Sequence, residues 1–256
     1  KLRGDRMTDV SALEGRKLSP DVAKLVLRTV QASPVQSPEL LATIQKAGGL
    51  SIGGWKMTPE QVDGFVKEVS VKGDPHRGEA IYRRAQLQCQ KCHAIGGAGG
   101  RVGPDLLSIG ASAPVDYLVD SLIEPNKKVK ENYHSVVVQT DDGKVMTGIP
   151  IRESKTELVL RDADDQARVI PTEVIEERKE GRSLMPDGAV DALTREELVD
   201  LVRFLSELGK VGPFSVGQAR VVRRWQSLVF SKESHHILNR SSYDTVATEK
   251  PEFVWQ

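Results

Sequence analysis

The only two cysteines of the chain lie three positions apart, and a histidine follows the second: Cys89-Gln90-Lys91-Cys92-His93. This string is the attachment signature of a c-type haem. Two thiols at that spacing can each form a thioether to one vinyl group of a single porphyrin. The adjacent imidazole is then placed to ligate the iron. Two other chemistries use the same residues. A CxxC redox pair belongs in a thioredoxin-like βαβ context, but Gly-rich sequence follows this pair and no strand pattern precedes it. A structural zinc site needs about four ligands, and no second Cys/His cluster lies at finger spacing.

The chain has 256 residues, room for one to three small domains, and its 39% apolar content is that of a soluble globular protein. Its 36 basic and 36 acidic side chains cancel, which gives no reason to propose nucleic acid as a partner. Aromatics at 5% also argue against a base-stacking surface. No apolar run reaches the roughly 18 residues of a membrane-spanning helix. Thioether attachment of haem takes place outside the cytoplasm, so a periplasmic or otherwise exported location is expected. The chain begins at Lys1 without a signal peptide, which reads as a mature or excised piece of a longer exported protein.

Three helix starts of one type open the chain after a charged stretch. Ser19-Pro20, Ser37-Pro38 and Thr58-Pro59 each put a hydroxyl N-cap before an N1 proline. Thr58 and Gln61 add a capping box. The predicted apolar stripes are Val22, Leu25, Val26 and Val30, then Leu40, Leu41 and Ile44, then Val62, Phe65, Val66 and Val69. Residues 1–72 therefore read as an N-terminal helical segment, either the end of a helical-repeat region or a cap on the next domain.

A fourth helix is predicted over 77–87, with Gly78, Ile81, Tyr82 and Ala85 on one face, delivering the chain into Cys89. The glycines at 96, 97, 99, 100 and 103 let backbone approach a flat ligand closely. They do not read as a phosphate cradle, because no Lys-Ser/Thr follows. A helix over 114–123 comes next. Four short strands follow, at 134–140, 144–151, 156–161 and 167–170, with a hairpin turn at Asp141-Asp142-Gly143 and another turn at 162–165. Helical sequence returns after Pro171. Thr194 and Glu197 then cap a strong helix with Leu198, Leu201, Val202, Leu205 and Leu208 on its apolar face and Gly209 after it. Residues 73–209 make one predicted domain, with a β insert at 131–177. Residues 210–256 are a C-terminal extension, with a short amphipathic element at 221–230.

The strings LQCQKCHAIGGAGGRVGPDL, SIGAS, SLIEPNKKVKENY and SLMPDG followed by LTREELVDLVRFLSELG closely resemble the planctomycete-type haem-binding domain family. The resemblance spans residues 74–209. It implies a mainly α fold: a class I cytochrome c-like domain with a small antiparallel β insert before the methionine loop. It also implies a single covalent haem c, one-electron transfer rather than catalysis, and a redox partner protein or an upstream dehydrogenase domain. Carried over by position, Cys89 and Cys92 would hold the thioethers, His93 would be the proximal ligand and Met185 the distal one. The Pro104 carbonyl would orient the His93 ring. Gly78 and Tyr82 would pack against Phe204 and Leu205.

Four methionines compete for the sixth position. Met7 lies far upstream of the motif, Met57 sits beside the Thr58 cap, and Met146 falls in a strand where core packing explains it. Met185 sits in a Ser-Leu-Met-Pro loop just before the last helix, and a soft thioether opposite histidine suits electron transfer. His134, Met146, His76 or an open site are the competitors; His235 and His236 read as solvated. Arg101 and Arg182 flank the loops and are candidates to pair with the haem propionates. The run Lys127-Lys128-Val129-Lys130 either steers an acidic partner or is a solvated helix end. An enzyme or gas sensor with an open sixth site is one alternative. A partner- or glycan-binding module with a structural haem is another.

Overall fold

The computed structural model describes residues 13, 15–33, 37–51 and 54–215, and positions 231, 232 and 235. Residues 1–217 form one compact unit and 218–256 a second. Met7, His236, the element expected at 221–230 and nearly all of the tail lie outside the described residues.

The three N-terminal helices start where their caps place them: α1 (Pro20–Gln31), α2 (Pro38–Ala47) and α3 (Pro59–Lys72). Ser19, Ser37 and Thr58 accept from the amides of Val22, Leu40 and Gln61, and the Thr58–Gln61 capping box is complete. The inward face of α1 differs from the expected stripe. Ala23 and Leu27 are buried, whereas Val22 and Leu25 are 46% and 48% exposed. The cause is close helix approach: a Cβ on Gly48, at the end of α2, would stand 2.3 Å from the Ala23 Cβ, so only a small residue fits there.

The chain then enters α4 (Pro75–Tyr82), which packs across the last helix, α8 (Arg195–Glu207). Gly78 lies at the crossing, where a Cβ would fall 2.0 Å from the Asp200 carbonyl oxygen and 2.7 Å from the Phe204 Cβ. The Tyr82 and Phe204 rings meet at 5.7 Å, so Gly78 and Tyr82 pack as the resemblance implied. Asp200, 2% exposed, is not left as a bare buried charge. It accepts from the Asp74 amide at 2.7 Å and from Arg77 Nε at 2.6 Å. Phe65 and Val69 of α3 join the same core as Ile81, Leu201 and Leu205. The α1 helix is tied to this core by charge: Arg28 donates to Glu197 at 2.9 Å and Lys24 to the Leu193 carbonyl at 2.7 Å.

The predicted 77–87 helix ends early, at Tyr82. Arg84 is extended, a 3-10 turn covers Ala85–Leu87, and Gln88 is left-handed at φ 54°. The motif follows as a single turn, α5 (Cys89–Cys92). A two-residue hairpin, β1 (Ala94–Ile95) with β2 (Ala98–Gly99), leads to α6 (Ile109–Ser112) and α7 (Val115–Ile123).

The insert is a five-stranded antiparallel sheet: β3 (Val136–Thr140), β4 (Val145–Glu153), β5 (Glu157–Arg161), β6 (Ala167–Pro171) and β7 (Ile175–Glu180), in the order β6-β5-β4-β3-β7. It has its own core of Val136, Val138, Leu158, Leu160 and Ile170. The fifth strand corrects the expectation that helical sequence returns after Pro171. Glu176-Glu177-Arg178-Lys179-Glu180 has helix-forming composition. Pairing along β3, Val138 against Arg178 and Val136 against Glu180, supplies ladder partners that a solvent-exposed helix would not. "Mainly α" therefore understates the β content: the helical part is joined by a sheet of five strands, one more than the four expected.

Candidate cofactor site

The single turn of α5 puts residues 89 and 92 on one side of the helix. The His93 amide closes the turn by donating to the Cys89 carbonyl at 2.8 Å. Burial pushes the Cys89 thiol up to about 11. Burial raises Cys92 as well, with the nearby Asp165 and Asp164 carboxylates adding to it against Lys91. A dithiol redox pair needs the opposite, a depressed thiol that supplies thiolate near neutral pH.

The His93 ring is held from one side. Its Nδ1 lies 2.9 Å from the Pro104 carbonyl oxygen, which can only accept, so Nδ1 carries the proton and Nε2 keeps its lone pair. Burial lowers the His93 pKa, outweighing that hydrogen bond, and favours the neutral ring that a ligand must be. Gly103 makes the approach possible, since a Cβ there would fall 2.3 Å from the ring Cε1. The Gly103 amide donates to the Cys92 carbonyl and the Leu106 amide to the Ala94 carbonyl, both at 2.8 Å. Asp105 pins the hairpin turn, accepting from the amides of Gly96, Gly97 and Leu107 at 2.7 to 2.9 Å. Tyr82 donates its hydroxyl to the His93 carbonyl at 3.2 Å.

Both thiols, His93 and Pro104 face one cavity of about 240 Å³. Leu106, Ile109, Leu118, Leu122, Leu201 and Leu205 give it apolar walls, and the sheet adds Ile149 from β4. Met185 lines the same cavity, and it is the one methionine or histidine besides His93 that does so among the described residues. His134 and His76 are exposed, the latter with its ring tilted against that of Phe214 at 4.9 Å. Met146 packs on the sheet core and Met57 on the helical core.

The Met185 loop is anchored from two elements. The Asn126 side chain accepts from the Ser183 amide at 2.8 Å and donates to Asp187 at 3.0 Å. At the start of β3, the Ser135 carbonyl accepts from the Gly181 amide at 2.9 Å and the Ser135 hydroxyl donates to the Arg182 carbonyl. Sequence reasoning passed over Asn126, Ser135 and Asp105, and it read Gly103 as a close-approach glycine without its place against the His93 ring. The available signals were the Pro-Asn pair after α7 and the Gly-Pro-Asp string.

Arg101 and Arg182 are not brought to the cavity. Arg101 pairs with Asp165 at 3.5 Å and Arg182 with Asp187. Asp165 belongs to the β5–β6 turn, which docks beside the motif: Lys91 pairs with Asp164 at 2.9 Å, and Arg161 donates to the Arg101 carbonyl at 2.9 Å. The cations that do line the cavity are Lys128 and Lys130.

Two thiols on one helical turn, a neutral imidazole with a free Nε2, a thioether and apolar walls fit a covalently held haem. A zinc site is not built: among the described residues no three His, Cys, Asp or Glu side chains converge to hold a metal ion. A family model described as Cytochrome C oxidase, cbb3-type, subunit III matches residues 73–146. The match runs from α4 through the motif and α7 into β4, and stops short of the Met185 loop. It supports a cytochrome c-like domain there, and such a domain implies covalently bound haem c, haem-based electron transfer and a redox partner. A comparison with curated proteins finds no match. No helix among the described residues is long and apolar enough to cross a membrane.

Proposed function

Taking the cytochrome c-like domain as the premise, we propose a mono-haem electron carrier in which Cys89 and Cys92 would hold the haem through thioethers and His93 and Met185 would ligate its iron. The observation that carries this reading is the shared cavity: both thiols, His93 and Met185 line it, and no other methionine or histidine among the described residues does. When bound, the haem supplies a one-electron couple whose potential Met/His ligation raises.

The chain's own part is positioning and exclusion of water. Pro104 fixes the tautomer and plane of His93, as a partner behind a ligand does. Asn126 and Ser135 hold the loop that presents Met185. The leucines and Ile149 keep the pocket dry, so exchange proceeds without ligand loss. No arrangement of base and nucleophile is needed for such a role. The resemblance to the planctomycete-type haem-binding domains supports an exported location and a dehydrogenase domain or partner as electron donor.

Absorption spectra of both oxidation states test the ligand set. Wild type should be low-spin with slow CO binding, and Met185→Ala should lose that spectrum and bind CO quickly. An unchanged low-spin spectrum in the variant removes Met185 from the iron. A high-spin wild type with fast CO binding would favour the sensor or enzyme reading instead.

A further inference from the structure

The cavity is apolar almost throughout, yet a haem carries two carboxylates that cannot be buried against leucines without partners. Resting on the reading above, we propose that Lys128 and Lys130, with the Tyr133 hydroxyl, form the carboxylate-recognition subsite of this pocket. All three line the cavity. The two lysines are the only Lys or Arg side chains to do so among the described residues. Asp105, the acidic residue that lines the cavity among the described residues, accepts from the three amides it pins.

The neighbouring charges are otherwise engaged. Lys127, one position away, pairs with Asp120 at 2.8 Å and Glu124 at 3.4 Å, and it does not line the cavity. Lys128 and Lys130 make no ion pair among the described residues; Lys128 Nζ lies 6.0 Å from the Tyr117 ring centroid. The segment carrying them is tied to the Met185 loop at one end and closed by a turn at the other. Asn126 binds the Met185 loop, and the Tyr133 amide donates to the Lys130 carbonyl at 3.0 Å. Two exposed ammonium groups that line the pocket equal two carboxylates in number and are opposite in sign, and charge-assisted hydrogen bonds of this kind are the strong ones.

The test is the midpoint potential of the full haem-loaded chain as a function of pH, with the low-spin spectrum followed in the same sample. In the Lys128→Gln/Lys130→Gln double variant, the redox-linked carboxylate pKa should rise by about one unit or more, since an opposite charge has been removed. The potential at pH 7 should fall, because a positive charge that favours the added electron is gone. Lys127→Gln should follow wild type. Should the double variant mature poorly, each single Lys→Gln change should give part of the shift, and Lys128→Arg/Lys130→Arg should keep the wild-type profile. An unchanged pH profile with an intact low-spin spectrum overturns the subsite while leaving the ligand assignment standing. A profile that moves with Arg101→Gln or Arg182→Gln, and not with the lysines, overturns it in favour of those arginines. A change confined to the salt dependence of reduction by a partner would make the lysines a docking patch and also overturn it.

Discussion

Gly103 stands against the face of His93 so closely that a Cβ would fall 2.3 Å from the ring Cε1 and 2.6 Å from Nδ1. Gly103→Ala should therefore push the ring off the Pro104 carbonyl. The expected result is a lower yield of haem-loaded protein and a weakened low-spin spectrum. Gly64→Ala is the comparison: its Cβ meets nothing within 4 Å on α3, so it should be neutral or stabilising by up to about 1 kcal/mol.

The helix crossing gives a second expectation. Gly78→Ala places a methyl 2.0 Å from the Asp200 carbonyl oxygen, and overpacking of this kind costs about 1–3 kcal/mol. Asp200→Ala removes the acceptor for the Asp74 amide and leaves Arg77 without its shortest ion pair. Because Arg77 is half exposed, the loss should be at the lower end, about 1–3 kcal/mol. Urea midpoints at pH 7 measure both.

Asn126→Ala separates stability from ligation. The change frees the Ser183 amide and loosens the loop carrying Met185, but opens no hole in the core. The thermal midpoint should shift by a few degrees at most, while CO binding to the ferrous protein speeds up markedly. A variant with wild-type CO kinetics would show that the loop does not depend on this side chain.

Glu197 predicts the acid limb. Burial alone would raise its pKa, but the Thr194 amide and the Arg28 and Arg84 guanidiniums outweigh it and hold the carboxyl below its ordinary value. A carboxyl depressed in the folded state contributes stability above its unfolded pKa and loses it as pH falls through the folded value. Wild type should thus weaken as pH drops below about 4.3. Glu197→Gln should be less stable at pH 7 by about 1–2 kcal/mol and should show a shallower decline into acid. Parallel slopes for the two proteins would exclude Glu197 as a contributor.

The caps and stripes of α2, α3 and α8 were legible because they are local: a hydroxyl, a proline and a periodic apolar face within one or two turns. The motif, and the place of Met185 on the wall of the cavity, were legible for the same reason, each carrying its own short context. What escaped depends on distant partners. β7 is a strand because β3 offers it an edge. Ala23 displaces Val22 and Leu25 from the core because of Gly48. Asn126 meets Ser183 from 57 positions away and Ser135 meets Arg182 from 47. The propionate expectation at Arg101 and Arg182 fell on residues that flank the right loops in sequence, but each has an aspartate of its own.

Ile149 gives the sheet a share in the cavity wall. The motif is complete once residue 93 is made, yet Met185 follows 185 − 93 = 92 residues later, with all five strands between them. The residues for attachment and those for enclosure therefore come from separate parts of the chain, the first contiguous, the second brought in across the sheet. An edit that trims the strands would leave the covalent anchor untouched and unroof what it holds.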